Sequence, residues 1–197
     1  MSTAKMRAWI AFGANLPSET GTPLETLKEA LRALRVKGVE VAALSQIYET
    51  PCFPAGAGPD YINFAAEVSY DGPPEALLLV LHEVEARLGR VRKTRWAGRP
   101  IDLDLMAYED VVRPDEATLR QWIELPLTEQ TVRAPDRLIL PHPRIQDRAF
   151  MLIPFADLAP EWRHPLLDKT IAEMLAARPE DEKTEVKPMS GVAIGTD

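Results

Sequence analysis

The order of strand-like and helix-like segments constrains the fold of this 197-residue chain more than any other feature. Four short runs of β-branched, aromatic and apolar residues are bounded by turn formers, which is typical of β-strands. They cover residues 7–13, 39–50, 62–70 and 101–109. A helix is predicted at 22–35, where leucines recur at helical spacing after a Thr-Pro start, and another at 73–89, between a proline pair and a glycine.

This order of strand, helix, strand, strand, helix, strand is the pattern of a ferredoxin-like α+β sandwich. We therefore predict an antiparallel sheet with helices on its faces, and we expect the first two helices to share one face. Two further helical pieces are predicted at 148–160 and 167–178. The polar, glycine-containing residues 179–197 are predicted to be a disordered tail, which leaves one domain over residues 1–178.

The formal net charge of -7 argues against a general affinity for nucleic acid or for an anionic membrane, so an anion site must be a local patch. The single cysteine, Cys52, has no partner for an internal disulfide, and the first residues lack a signal-peptide core. The longest apolar runs fall short of the roughly 20 residues that a membrane span needs. We expect a cytoplasmic protein with neither nucleic-acid nor membrane partners.

Two aspartates, Asp102 and Asp104, stand one residue apart within a predicted strand. Because alternate side chains of a strand point to the same face, their carboxylates project together. Two carboxylates so close repel each other unless a cation lies between them, and Mg²⁺ commonly takes one or two carboxylates together with substrate phosphates. An isolated Asp-x-Asp also fits a solvated strand face, so the pair alone is a weak signal.

Four arginines lie immediately before these aspartates: Arg90, Arg92, Arg95 and Arg99. The arginine guanidinium is a planar fork that matches phosphate oxygens. Such a run is, by itself, more often a solvated surface than a site. Next to a metal-binding pair, however, it indicates phosphoryl transfer, which depends on positioning and on neutralising the charge of the transferred group.

A second group of site candidates lies at the start of the third predicted strand. Tyr61 and Asn63 are two residues apart, and an aromatic face beside an amide suits a flat heterocycle that is stacked and then read at its edge. On the bare sequence, however, Tyr and Asn at the start of a strand are more often explained by packing and turn chemistry. On the bare sequence, Phe150 is likewise more readily explained as a core residue than as a site residue.

Several segments, in consistent order over about residues 7–165, resemble the 6-hydroxymethyl-7,8-dihydropterin pyrophosphokinases of folate biosynthesis. The opening "AFGANL" is similar to the family's G-S-N-L, "SQIYETPCF" to S-x-x-Y-x-T-x-P, and "YINFAAEV" to its Y-x-N strand. The stretch "GRVRKTRWAGRPIDLDLM" resembles G-R-x-R-x-x-R-W-G-P-R-x-I-D-L-D-L. Finally, "LPHPRIQDRAFMLIPFADLAP" resembles P-H-P-R-x-x-x-R-x-F-x-L-x-P-L.

The resemblance implies that the β,γ-pyrophosphoryl group of ATP is transferred to the pterin's hydroxymethyl oxygen, with AMP leaving and two Mg²⁺ ions held by Asp102 and Asp104. The implied catalytic residues are Arg90, Arg92, Arg99, Asp102 and Asp104. The implied pterin-binding residues are Thr50, Cys52, Phe53, Tyr61, Asn63, Trp96, Arg148 and Phe150. The implied ATP-binding residues are Glu85, Arg90, Arg92, Trp96, Arg99, Leu105, Arg137 and His142.

The chain departs from the family pattern in two places. "WAGRP" replaces W-G-P-R-x, which moves the proline of the arginine-rich loop to the position after Arg99. Residues 113–137 stand where the family has a much shorter connection, and we predict an inserted helix there. The implied partners are the two small substrates, and we expect a monomer.

Two other functions fit part of the sequence. A ferredoxin-like nucleotidyl transferase shares the Asp-x-Asp metal pair, but it would release pyrophosphate and would give Tyr61, Asn63 and Phe150 no role. A catalytically silent binding module is also compatible with the fold. Such a module gives no reason for metal-binding carboxylates beside four arginines.

Overall fold

The computed structural model describes residues 5–52, 56, 58–90, 98–130, 132–192 and 194–195. Three of the site residues named above, Phe53, Arg92 and Trp96, lie outside these ranges. All elements below refer to the described residues.

A mostly antiparallel β-sheet forms the centre of the fold. Its strands are β1 Met6–Ala14, β2 Glu40–Leu44, β3 Tyr48–Thr50, β4 Tyr61–Tyr70, β5 Asp102–Tyr108 and β6 Lys187–Pro188. They lie in the order β5-β1-β4-β3-β6, β2 also pairs with β4, and each of these pairings is antiparallel. With helices on both faces, this sheet confirms the predicted ferredoxin-like α+β class.

The strand predicted at 39–50 is divided into β2 and β3 by an interruption at Ser45. The Ser45 backbone N–H donates to the carbonyl of Ala65 at 2.9 Å, and the Ser45 hydroxyl accepts from the Ala65 N–H at 2.8 Å. A side-chain oxygen thus replaces a backbone carbonyl in the ladder, which ends the regular pairing. The sequence prediction placed Ser45 and Gln46 within one strand and therefore did not reveal this break.

Helices α1 Pro23–Val36 and α2 Pro74–Arg87 cover one face of the sheet, as expected. Thr22 and Glu25 form a capping box at the start of α1, and Gly89 follows α2 with a φ of 86°, a value that favours glycine. The buried side chains on this face come from alternate residues of β1 and from the leucines of both helices. None of the helices in the described ranges is long and apolar enough to cross a bilayer.

Helices α5 Ala149–Leu158 and α6 Ile171–Ala176 cover the opposite face, at the two helical pieces predicted from the sequence. Trp9 lies on the face of β1 that points away from α1. Its ring packs against that of Phe155 of α5 in a tilted arrangement, with ring centroids 5.4 Å apart. Ala65 and Met106 are fully buried in the same cluster. The sheet is therefore buried on both sides, which fixes the positions of its strand ends.

Residues 113–137, named here the α3–α4 segment, contain two helices where one was predicted. They are α3 Glu116–Ile123 and α4 Leu127–Gln130. The carboxylate of Asp115 accepts from the Thr118 N–H at 2.8 Å and caps α3. Leu119 is fully buried, so α3 packs against the rest of the protein with an apolar side chain.

The predicted disorder of residues 179–197 is wrong for the part that the structure describes. Helix α7 spans Glu180–Thr184, and β6 extends the sheet by pairing with β3. Val186 is buried against Tyr48 and Ala149, and the Met189 N–H donates to the Ile47 carbonyl at 2.9 Å. A few apolar residues in a polar segment are enough to dock it, and the average composition on which the prediction rested conceals them.

Candidate active site

Asp102 and Asp104 lie at the start of β5 with both side chains partly exposed. Leu103 and Leu105, which alternate with them, are only 2% and 3% exposed in the core beneath α1 and α2. Across the neighbouring strand β1, Gly13 lies opposite Asp102. The alternation of a strand thus places both carboxylates on one face, beside a residue that has no side chain to crowd them.

Two arginines contact Asp102. Arg99 Nη1 donates to Oδ2, and Arg90 Nη1 lies 2.5 Å from Oδ1 in an ion pair whose angles do not make a hydrogen bond. Burial, and then the charge of Asp104, raise the pKa of Asp102, while Arg99 and Arg90 act in the opposite direction. The site therefore concentrates negative charge that two guanidinium groups only partly compensate.

These features fit a hard divalent cation. The Asp102 carboxylate is an oxygen ligand of the kind that hard cations prefer, and its Oδ1 is buried in the ion pair with Arg90. Its neighbour Asp104 adds a second carboxylate on the same face. No group of three or more His, Cys, Asp or Glu residues in the described chain is arranged to hold a metal alone. A pair of carboxylates that leaves other positions to phosphate and water suits Mg²⁺.

Glu85 lies beneath the arginines and is only 2% exposed. Its Oε1 accepts from Arg90 Nη1 and, at 2.8 Å, from the Leu103 N–H. Burial raises the pKa of Glu85 to about 7, although Arg90 and the Leu103 N–H oppose the shift. The sequence resemblance implies that Glu85 meets the nucleotide, whereas its observed contacts are with Arg90 and β5, which it holds in place.

A cavity of about 800 Å³ opens beside Asp104. Its volume is within the usual range of ligand sites. The predicted site residues that line it are Arg90, Arg99, Asp104, Leu105, Arg137, His142 and Arg148. Asp102 lies behind Arg90 and Arg99, both of which face the cavity. Residues from distant parts of the sequence, most of them cationic, therefore surround one space that suits an anion.

His142 is neutral at this cavity. Burial, followed by the charge of Arg148, lowers the pKa of His142 to about 3. Its Nδ1 accepts from the Arg144 N–H at 3.2 Å, which implies that the proton is on Nε2. His142 therefore offers an uncharged N–H donor, suitable for a phosphate or ribose oxygen.

A second cluster lies where β3 and β4 meet. Asn63 Nδ2 donates to Thr50 Oγ1 at 2.6 Å, and both side chains are buried. Cys52 Sγ accepts from the Gly58 N–H at 3.1 Å and donates to the Gly58 carbonyl at 3.0 Å. The loop that precedes β4 is thus tied to the end of β3, and Asn63 is held in one orientation.

Phe150 lies in the first turn of α5 and is 38% exposed, which is unusual for a phenylalanine. The Arg148 guanidinium carbon is 5.6 Å from the centroid of this ring. Because Arg148 also lines the cavity, Phe150 presents an aromatic face next to it. An exposed ring beside a cationic group is available to stack on a flat ligand.

Gly13 joins the aspartate group to the Asn63 group. A Cβ atom at this position would lie 2.9 Å from Asn63 Oδ1 and 3.9 Å from both the Asp102 Cβ and the Tyr61 Cδ1. Gly13 therefore lies near side chains of both groups. The absence of a side chain leaves this space open.

Asn15, two residues after Gly13, is 3% exposed, and its side chain connects two loops. Its Oδ1 accepts from the Arg99 N–H at 2.7 Å, and its Nδ2 donates to the Pro59 carbonyl at 3.0 Å. The Asn15 N–H also donates to the Arg99 carbonyl at 3.0 Å. Asn15 thus fixes the backbone of Arg99 relative to the loop before β4.

Comparisons with known proteins identify the family. The family model described as 7,8-dihydro-6-hydroxymethylpterin-pyrophosphokinase (HPPK) matches residues 9–160. The chain belongs to this family. The family and the enzyme class predicted from the sequence motifs are confirmed.

Two curated relatives carry the name 2-amino-4-hydroxy-6-hydroxymethyldihydropteridine pyrophosphokinase. The one from Pseudomonas aeruginosa is 34% identical over 175 residues, which are 88% of this chain and 92% of the relative. The one from Synechocystis sp. is 34% identical over 169 residues, 85% of this chain and 74% of the relative.

A solved structure, the wild-type HPPK-DHPS of Plasmodium falciparum, superposes with a TM-score of 0.62 at 14% identity. The match covers 87% of this chain and 44% of that longer chain, so this chain spans less than half of it. At this identity the likeness concerns the fold, which it supports.

Sequence reasoning assigned no role to Gly13 or Asn15, although both are within the matched motif "AFGANL". Their roles depend on what lies across the sheet and beyond it, and a motif does not show those contacts. Trp122 and Arg133 of the α3–α4 segment also line the cavity and were not predicted. No sequence signal could have found them, because they lie outside every matched motif.

Proposed function

We propose that this protein transfers the β,γ-pyrophosphoryl group of ATP to the hydroxymethyl group of 6-hydroxymethyl-7,8-dihydropterin and releases AMP. The observation that carries the proposal is the position of Gly13. It brings the Asp102 group, with its arginines, next to the Asn63 group. A phosphate site and a heterocycle site in contact suit direct transfer between two bound substrates.

In the proposed reaction, the hydroxymethyl oxygen forms a bond to the β-phosphorus of ATP. The bond from that phosphorus to the α,β-bridging oxygen breaks, the bridging oxygen leaves with AMP, and the hydroxyl proton passes to solvent. Arg90 and Arg99 neutralise phosphate charge, and the ordered strand ends hold the two substrates in line. Positioning and charge neutralisation of this kind are the main contributions of proteins to phosphoryl transfer.

Asp102 and Asp104 are proposed to hold two Mg²⁺ ions. When bound, these ions supply positive charge that lowers the repulsion between the triphosphate and the carboxylates. Arg90 and Arg99 orient Asp102, and Glu85 in turn holds Arg90. The protein thus fixes its carboxylates through a layer of ion pairs before any substrate binds.

The remaining roles are divided between the two substrates. Tyr61 and Phe150 stack on the pterin and Asn63 binds its edge, with Thr50, Cys52, Phe53, Trp96 and Arg148 as further pterin contacts. Leu105, Arg137 and His142 contact ATP, together with Arg90, Arg92, Trp96 and Arg99, while Glu85 acts through Arg90. The proposal includes a monomer, because residues of a single chain supply both groups. It also places the protein in the cytoplasm.

The identity of the nucleotide product tests the reaction. The protein is incubated with ATP, Mg²⁺ and 6-hydroxymethyl-7,8-dihydropterin, and the nucleotides are separated by chromatography. AMP that forms only when the pterin is present supports the proposal. Release of pyrophosphate indicates a nucleotidyl transferase, and binding of both ligands without any product indicates a silent binding module.

Replacing Gly13 by alanine is expected to raise the KM for the pterin by about 10-fold or more, equivalent to roughly 1.4 kcal/mol of binding. The new methyl group would lie 2.9 Å from Asn63 Oδ1, closer than van der Waals contact, and would displace the amide. Because Gly13 does not line the cavity of Asp104, we expect the KM for ATP to change by less than about 2-fold. Steady-state kinetics with each substrate varied in turn measure both values.

The double variant G13A/N63A provides the control for this steric explanation. Asn63→Ala alone removes the edge contact, and the double variant removes both the contact and the clash. If the clash with Asn63 causes the effect of Gly13→Ala, the two changes are not additive. Additive effects on the pterin KM, or an equal rise in the ATP KM, would contradict it.

A further inference from the structure

The α3–α4 segment, residues 113–137, forms one wall of the cavity that contains Asp104. Trp122, Gln130 and Arg133 face this cavity from the segment, and Arg99 and His142 face it from the rest of the protein. The sequence predicted an inserted helix there, as either a surface elaboration or a contact site. Its position gives it direct access to whatever the cavity binds.

This wall is firmly attached to the rest of the protein. The side chain of Arg144 is 8% exposed and donates to the Ile123 carbonyl, at the end of α3, at 3.2 Å. At the start of the segment, the Arg113 N–H donates to the Leu140 carbonyl at 2.9 Å, and the Leu140 N–H donates to the Arg113 carbonyl at 3.1 Å. The buried Leu119 adds an apolar anchor. Its side chains therefore meet a ligand from a fixed position.

Trp122 and Arg133 offer a particular chemistry. The Arg133 guanidinium carbon lies 5.5 Å from the centroid of the Trp122 ring, in a cation–π contact. Arg133 also lies 3.9 Å from Glu129, yet its side chain remains 58% exposed. A guanidinium held on an aromatic face combines a stacking surface with positive charge. A nucleotide, which is a planar base attached to an anion, suits such a pair.

We propose that Trp122 and Arg133 bind ATP and set its affinity. The inference rests on the proposed function, because it takes the cavity to be the ATP site. The Asn63 group does not line this cavity. Of the proposed pterin contacts in the described ranges, Arg148 also lines the cavity, so we expect the segment to act mainly on the nucleotide.

Charge reversal at Arg133, with a matched control, tests this inference. Arg133→Glu is compared with Arg120→Glu, because Arg120 is an exposed residue of α3 that does not line the cavity. Both variants change the net charge equally. We expect Arg133→Glu to raise the KM for ATP by about 10-fold or more, with kcat and the pterin KM within about 2-fold of the wild type. Arg120→Glu is expected to leave all three values within about 2-fold.

A binding measurement separates this inference from the proposed reaction. The probe is Mg²⁺ with α,β-methylene-ATP, in which the bond to be broken is replaced, and isothermal titration calorimetry measures its Kd. Trp122→Ala is the second variant, expected to weaken binding about 5-fold, and thermal unfolding verifies that each variant is folded.

Loss of probe affinity in Arg133→Glu and Trp122→Ala, but not in Arg120→Glu, supports the inference, even if the wild type releases no AMP and the proposed reaction fails. Unchanged probe affinity in both folded variants overturns the inference and leaves the reaction intact. Equal weakening in Arg133→Glu and Arg120→Glu also overturns it, because net charge then explains the effect.

Discussion

Replacing Asp102 and Asp104 together by asparagine is expected to lower kcat by about 10³-fold or more, equivalent to roughly 4 kcal/mol of transition-state stabilisation. Asparagine keeps the size of each side chain but removes the negative charge and one of the two oxygens that a cation needs. The change also removes the charge that Asp102 shares with Arg90 and Arg99. The rate of AMP formation at saturating ATP, Mg²⁺ and pterin measures the effect.

Asp110→Asn is the matched control, because Asp110 is exposed and lies just beyond the end of β5. Its activity is expected to equal that of the wild type. The double variant is expected to remain folded, since the change also removes the repulsion between two neighbouring carboxylates. Activity within 10-fold of the wild type in a folded double variant would rule out these aspartates as the metal site.

Replacing Glu85 by alanine is expected to lower the free energy of unfolding by about 3 kcal/mol, because it leaves Arg90 and the Leu103 N–H without the acceptor that they share. For a chain of this length, the loss corresponds to a fall in Tm of roughly 6–12 °C. Glu85→Gln keeps an acceptor for the Leu103 N–H, so we expect a smaller effect. Thermal and urea unfolding followed by circular dichroism measure the three proteins.

Glu83→Ala on the same helix provides the comparison. Glu83 is 61% exposed and forms a 2.5 Å ion pair with Lys37 at the surface, and such pairs contribute about 1 kcal/mol or less. Glu85→Ala should therefore be much more destabilising than Glu83→Ala, although each removes one carboxylate from one ion pair. Equal effects would mean that Glu85 does not hold Arg90 and β5 in the way that the structure indicates.

Sequence patterns predicted the fold wherever a local period determines it. The leucines of α1 and the alternation of Asp102, Leu103, Asp104 and Leu105 each reflect a repeat that the backbone geometry imposes. The division of the second predicted strand was missed, because it depends on a single serine hydroxyl that bonds across the sheet to Ala65. A pattern of apolar residues carries no information about such a contact.

The site was predicted only as far as the motifs extend. The resemblance named Asp102 and Asn63, but the contact between their two groups depends on Gly13, a residue of a third strand. The resemblance assigned Glu85 to the nucleotide, and its contact with Arg90 beneath the site could be seen only in the structure. Trp122 and Arg133 reach the cavity through the packing of α3 and α4, a long-range arrangement that one sequence does not encode in any readable period.

Strand β6 has a consequence for how copies of this protein behave in concentrated solution. It occupies the outer edge of β3, where unpaired N–H and carbonyl groups would otherwise be a template for a strand from another molecule. The segment lies beyond residues 9–160, the part that the family model matches. The new edge is a strand of only two residues, a lysine and a proline, which is a poor template for pairing and so disfavours edge-to-edge aggregation beside the strand that carries Thr50.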